Sequence, residues 1–137
     1  MSFSTRILDH FRSPRFAGEL AGASGVGEAS NPACGDVLRV WIRTDQDRVV
    51  EASFMAEGCA PVIACGSWLA ERVRGALVSE IASLGPGDVE AGLDGLPPAS
   101  SHAARLAVEA LRGALEAARR APQSQPPRPT SARRGGD

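Results

Sequence analysis

The sequence of 137 residues contains no lysine and no tyrosine, so its 15 basic residues are all arginine. These absences exclude an enzyme built on a Schiff-base lysine or on a tyrosine acid or base. No stretch approaches the ~20 apolar residues of a membrane-spanning helix, and we expect no signal peptide, because the start of the chain lacks an apolar core. The formal net charge of −1 gives no reason to expect nucleic acid or an anionic membrane as a partner.

Cysteine is also scarce, with three residues that form no closely spaced ligand pairs: Cys34, Cys59 and Cys65. An odd, unpaired set favours reactive or metal-bound thiols in a reducing compartment over a disulfide framework. We therefore expect a cytoplasmic protein. The length of the chain leaves room for one hydrophobic core.

Several potential ligands stand at the boundaries of predicted elements. Cys34 and Asp36 are two residues apart on a segment that we expect to be extended, where side chains two apart project to the same side. Cys59 lies just before Pro61, which is typical of a first helical turn, and the helix dipole there favours the thiolate. The spacing matches no zinc-finger pattern, so a turn at Cys34 and a buried Cys59 remain equally open.

A histidine completes this set. His102 follows a proline pair and the possible helix caps Ser100 and Ser101, which predicts that it falls in a first helical turn. The dipole at that position favours the neutral imidazole, the form that binds metals. The residues together indicate a metal or iron–sulfur site.

Four segments carry a family resemblance. They are residues 7–11 (ILDHF), 31–36 (NPACGD), 57–60 (EGCA) and 96–98 (LPP), the last followed by His102. In this order, and over roughly residues 3–118, they resemble the U-type iron–sulfur cluster assembly scaffolds, the IscU and NifU N-terminal family.

The resemblance implies a site and partners. It implies that Cys34, Asp36, Cys59 and His102 bind a transient cluster, commonly [2Fe–2S], or an ion such as Zn²⁺ or Fe²⁺. The third family cysteine corresponds to Ala103, which cannot bind metal or carry sulfur. The implied partners are a cysteine desulfurase and iron–sulfur acceptor proteins, while the residues after Leu-Pro-Pro differ from the motif that an Hsp70-type chaperone recognises in the IscU branch.

Three functions stay open at this point. The first is a scaffold without turnover of its own, and the second is a thiol-based sulfurtransferase that accepts persulfide on Cys34 or Cys59. The third is a degenerate docking protein that holds no cluster. Cys65 is a weak candidate for a replacement ligand, because at ~100° per residue it points about 120° away from the direction of Cys59. A packed small residue is the favoured interpretation.

The pattern of elements predicts an α+β fold, in which a small antiparallel sheet of about three strands packs against several helices. Ser4 is expected to cap a first helix whose apolar face contains Ile7, Leu8 and Phe11, and His10 on that helix has a surface or packing role. The other predicted elements, in chain order, are a possible edge strand after the glycines of 22–27, strand 37–44, a hairpin turn at 45–47, strand 48–56 with Val50, Ala52, Phe54 and Ala56 inward, and helices 61–74, 78–84, 88–93 and 101–120.

Composition changes after Arg120. Residues 121–137 are rich in proline, arginine and small polar residues, which cannot form a core. We therefore predict one scaffold domain at residues 1–120 and a disordered tail at 121–137.

Overall fold

The structure, a computed structural model, describes residues 3–120, so the predicted tail at 121–137 lies outside the described residues. Its elements in chain order are helix α1 (Thr5–Arg12), strands β1 (Gly25–Asn31), β2 (Asp36–Asp45) and β3 (Arg48–Glu57), helices α2 (Ala60–Val73), α3 (Val78–Ile81) and α4 (Pro86–Gly92), a 3₁₀ turn (Pro98–Ser100) and helix α5 (Ser101–Arg120). The three strands form an antiparallel sheet in the order β1-β2-β3. The predicted α+β class is confirmed.

The β2–β3 hairpin turns on Gln46 and Asp47, which both have positive φ. Two consecutive residues of this kind match the twist of the strands they join, so the predicted hairpin is confirmed. A register shift at Arg43/Thr44 then changes which side of β3 faces the core. Val49 is fully buried and Val50 only half-buried, so the prediction of Val50 as an inward residue is wrong.

Helix α5 lies unusually close to the edge strand β1. A Cβ at Gly25 or Gly27 would collide with the backbone of α5 at Ala114 or Ala110. Glycine on the strand and alanine on the helix therefore let the two backbones approach. This contact places the first turn of α5 beside the end of β1.

Helix α2 follows β3 directly. Cys59 is its N-cap residue, Pro61 lies in its first turn, and Gly75 has the positive φ typical of a residue just beyond a helix end. Three apolar residues of this helix, Val62, Leu69 and Val73, are all fully buried. The helix therefore anchors Cys59 to the core at one end.

Helix α1 packs on α2. The predicted cap is confirmed, because Ser4 Oγ accepts a hydrogen bond from the backbone N–H of Ile7 (3.0 Å). The predicted apolar face is wrong in part: Ile7 is buried, whereas Phe11 is 42% exposed and His10 is buried instead. Packing on α2 selects the face of Ile7 and His10, which hydrophobicity alone does not identify.

Other boundaries differ slightly from the predictions. Helix α3 stops at Ile81, and α4 begins at Pro86, because proline fits the first turn of a helix. Ser100 and Ser101 do not cap α5, since the 3₁₀ turn runs directly into it. None of the helices described between residues 3 and 120 has the length and apolar character needed to cross a bilayer.

Candidate metal centre

Cys34 lies in the turn between β1 and β2. The backbone N–H groups of Cys34 and Gly35 both donate to the carbonyl of Asn31, at 3.0 and 2.9 Å, and Gly35 has a φ of +74°. The prediction of an extended segment is therefore wrong for Cys34, although Asp36 does begin β2. The turn holds the Cys34 side chain near that of Asp36, which the predicted strand was expected to do.

The predicted ligands Cys34, Asp36 and His102 come together. One ligand atom from each lies within 4.8 Å of the others. His102 Nε2 donates a hydrogen bond to Asp36 Oδ2 (2.7 Å), which gives the buried carboxylate, 3% exposed, a partner 66 positions away in the sequence. The thiol of Cys34 is exposed, so solvent and partners can reach the group from that side.

Gly58 lies against the carboxylate of Asp36. A Cβ at this position would overlap Asp36 Oδ1, and the φ of +144° disfavours any other residue. Sequence reasoning missed this contribution to the site, although the glycine directly before Cys59 was the available signal. The absence of a side chain at position 58 therefore leaves room for the Asp36 carboxylate in its observed position.

Asn31 is a second residue that sequence reasoning missed. Its side-chain amide donates to Cys34 Sγ at 3.7 Å, while its backbone carbonyl closes the turn. Such hydrogen bonds to a ligand orient it and tune its bond to a metal. The Asn-Pro pair before the cysteine was the signal, because asparagine side chains commonly bond to nearby groups in turns.

Cys59 is exposed at the start of α2, and its side chain makes no capping hydrogen bond. Within residues 3–120 it does not join the group formed by Cys34, Asp36 and His102. The residue before Cys59 in the chain, Gly58, lies against Asp36 of that group. Its role as a ligand stays a prediction.

Cys65 and Ala103, two positions singled out in the sequence, are both buried. Cys65 is fully buried, and burial raises the pKa of its thiol to about 12, which disfavours the thiolate that a metal would bind. The interpretation of Cys65 as a packed small residue is confirmed. Ala103, which stands where the resemblance predicts a third cysteine, is also fully buried.

The second histidine lies elsewhere. His10 is 4% exposed, and its Nδ1 lies 2.7 Å from Ser67 Oγ, which also accepts from the backbone N–H of Arg15 (2.8 Å). Burial lowers the pKa of His10, and the charge of Arg15 acts in the same direction. The predicted packing role, rather than a surface role, is confirmed.

The chain is similar to known proteins over most of its length. The family described as "NifU-like N terminal domain" matches residues 2–124. The chain is similar to the bifunctional protein NifU/MnmA of Rubrobacter xylanophilus, with 45% identity over 116 residues that cover 83% of this chain but only 24% of that protein. It is also similar to the iron–sulfur cluster assembly scaffold protein IscU 1 of Archaeoglobus fulgidus, with 35% identity over 82% of this chain and 74% of that one.

A solved structure shares the fold. The crystal structure of a nitrogen-fixing NifU-like protein (N-terminal) from Brucella abortus superimposes with a TM-score of 0.68. The match covers 84% of this chain and 92% of that one, at 19% sequence identity. At this identity the likeness concerns the arrangement of helices and strands.

Proposed function

The chain belongs to the family of NifU-like N-terminal domains, and we propose that it is a scaffold that binds an iron–sulfur cluster transiently during assembly. One observation carries the proposal, namely the convergence of Cys34, Asp36 and His102 within 4.8 Å. Thiolate, carboxylate and imidazole are the ligand types that proteins offer to zinc and iron. The relative from Archaeoglobus fulgidus that is named as an assembly scaffold supports the same function.

Cys59 is the fourth ligand in this proposal. Two thiolates, a carboxylate and an imidazole suffice for a tetrahedral Zn²⁺ or Fe²⁺ or for the terminal positions of a [2Fe–2S] cluster. Support comes from the position of Cys59 directly after Gly58, which contacts Asp36. Mixed ligation should hold the cluster less tightly than thiolates alone would, which suits a cargo that is passed on.

The proposed partners supply and receive this cargo. A cysteine desulfurase provides sulfur and iron–sulfur acceptor proteins take the cluster, while the chain itself contributes binding without turnover. We place it in the reducing cytoplasm, where the exposed thiols of Cys34 and Cys59 stay reduced. Neither nucleic acid nor membrane is a proposed partner, given the net charge of −1.

The exposure of Cys34 and Cys59 favours a second candidate, a sulfurtransferase. In that reaction the Cys34 thiolate attacks the outer sulfur of a donor persulfide, the donor S–S bond breaks, and the donor sulfur leaves as a thiolate. A metal ion would then only modulate the reactivity of the thiol.

Anaerobic reconstitution with iron and a sulfur source separates these candidates. A scaffold is expected to show visible charge-transfer absorption together with bound iron and sulfide. A sulfurtransferase is expected to carry a labile persulfide without iron. Absence of both would contradict the two candidates and leave a docking protein.

Ala103→Cys tests whether the missing thiol weakens the scaffold. We expect a longer cluster lifetime under a mild chelator and persulfide loading by a cysteine desulfurase. Ala104→Cys is the matched control, because Ala104 is also fully buried but lies ~100° further around α5. Equal cluster decay in the native chain and in both variants would contradict a role for a thiol at position 103.

A further inference from the structure

A pocket of 160 Å³ lies beside the metal centre. Its principal lining residues are Asn31, Pro32, His102, Arg105, Leu106 and Glu109. We propose that this pocket binds a small amino acid that carries a thiol, the simplest being free L-cysteine, and that its sulfur becomes a ligand of the bound metal. The inference rests on the proposed metal binding, and it assigns a ligand to a part of the surface that the scaffold function does not use.

The pocket is continuous with the metal centre through two residues. His102 lines the pocket and also belongs to the ligand group. Asn31 lines the pocket and donates a hydrogen bond to Cys34 Sγ. A molecule in the pocket therefore contacts His102, one proposed metal ligand, directly. Only Asn31 separates it from a second, Cys34.

The charges of the pocket match an amino acid. Arg105 and Glu109 are exposed one helical turn apart, and within residues 3–120 neither forms an ion pair or a side-chain hydrogen bond. Near the other end of α5, Glu116 pairs with Arg119 and Arg120. The guanidinium of Arg105 suits a carboxylate, which it can bind through two N–H groups, and Glu109 suits an ammonium.

The size of the pocket suits a small ligand. At 160 Å³ it is smaller than the ~300–1,000 Å³ of pockets that hold drug-sized molecules or cofactors. Leu106, which lines the pocket and is 4% exposed, offers an apolar surface to a short side chain. Such a volume suits a single amino acid.

A thiol is the side chain that the metal centre lacks. The converged group supplies one thiolate, and Ala103 stands where the resemblance places another cysteine. With Cys59 the proposed site offers four protein ligands, and an external thiolate would add a fifth, a number that zinc sites can reach. On binding, the external thiol would lose its proton to solvent and its sulfur would bond to the metal, with no change of oxidation state.

Cobalt titration tests the proposal, because thiolate binding to Co²⁺ produces strong near-ultraviolet charge-transfer absorption. We expect L-cysteine to increase this absorption saturably in the Co²⁺-loaded native chain, while Co²⁺ stays bound to the protein after gel filtration. L-serine should compete without raising the absorption, because it has the same charged groups and no thiol. Cysteamine, which lacks the carboxylate, should bind at least ~10-fold more weakly, a loss of about 1.4 kcal/mol.

Matched variants locate the binding. Arg105→Ala should weaken L-cysteine binding at least ~10-fold without changing Co²⁺ affinity, whereas Arg119→Ala, ~21 Å further along α5, should change neither.

Four outcomes would overturn the inference. Equal binding of L-cysteine and cysteamine would remove the role of the charged pair, and stripping of Co²⁺ by L-cysteine would show chelation in solution. If Co²⁺ is retained but does not respond to L-cysteine, only the inference is overturned, and the proposed metal binding stands. Failure of the native chain to bind Co²⁺ at all would overturn both the proposed metal binding and the inference that depends on it.

Discussion

The two histidines of this chain make hydrogen bonds of equal length in environments of opposite kind. His10 Nδ1 lies 2.7 Å from the hydroxyl of Ser67, and His102 Nε2 lies 2.7 Å from the carboxylate of Asp36. His10 is enclosed between helices, whereas the side chain of His102 is 17% exposed and faces an exposed thiol. The partner and the access to solvent, rather than the bond itself, distinguish the packed His10 from His102, the proposed metal ligand.

The cysteines show the same contrast. Burial raises the pKa of Cys65 to about 12, so that thiol behaves as a small apolar group. Cys34 is exposed and accepts a hydrogen bond from the amide of Asn31. We call the region around His10 and Ser67 the buried node. Substitutions there should change the stability of the fold, whereas substitutions at the metal centre should change metal affinity.

The largest effect is expected from Cys34→Ala, which removes a thiolate from the converged group. Metal affinity should fall by more than the ~10–100-fold seen when only a supporting hydrogen bond is lost. Elemental analysis after dialysis measures the loss. Cys65→Ser is the control, and its metal content should be nearly unchanged; a loss equal to that of Cys34→Ala would show that α2 supplies a ligand.

A smaller loss of affinity should follow Gly58→Ala. The added Cβ displaces the Asp36 carboxylate, so we expect ~10–100-fold weaker metal binding although every ligand is still present. Gly35→Ala is a matched control, because Gly35 also has positive φ but open space around it. Equal effects in isothermal titration with Zn²⁺ would mean that backbone strain alone, and not contact with Asp36, explains the loss.

Ser67→Ala should act on the buried node. It leaves His10 and the backbone N–H of Arg15 without their partner, which should lower the free energy of unfolding by about 1–3 kcal/mol. Chemical denaturation measures this, and metal affinity should not change. Ser53→Ala is the control, since the buried Ser53 hydroxyl has no hydrogen-bond partner within residues 3–120 and its removal should be neutral or stabilising.

The smallest expected effect is a pH dependence that belongs to His10. Its pKa is below the ordinary value of 6.5 in the folded chain, because of burial and Arg15, although Glu71 and Asp9 oppose the shift. Below pH 6.5 the unfolded chain therefore binds more protons, and stability falls with the pH. Thermal unfolding of the metal-free protein from about pH 7 to about pH 5, above the ordinary carboxyl range, measures this fall.

Variants assign that pH dependence to one histidine. His10→Gln should flatten the curve, because glutamine does not titrate. His102→Gln should retain the contribution of His10. A curve that is flattened only by His102→Gln would place the titrating group at the metal centre and contradict the contrast between the two sites.

Local sequence patterns predicted helices and strands well where the residues of a single element were enough to define it. Helix α5 begins at the predicted residue, Ser101, and continues to Arg120, where the described residues end, because its apolar spacing is long and regular. These patterns did not predict that Phe11 is exposed or that Val49, rather than Val50, is buried. Both depend on packing and register between elements, which no single segment encodes.

The sequence by itself determined the donor atoms of this protein and the order of its helices and strands. Residue type fixes whether a side chain can bind metal, and the apolar period fixes the local element. Only the tertiary structure decided that Asp36 meets His102 across 66 positions and that Cys59 stands outside their group. The close packing of α5 on the glycines of β1 brings the first pair together, and a contact between distant segments depends on that packing rather than on local sequence.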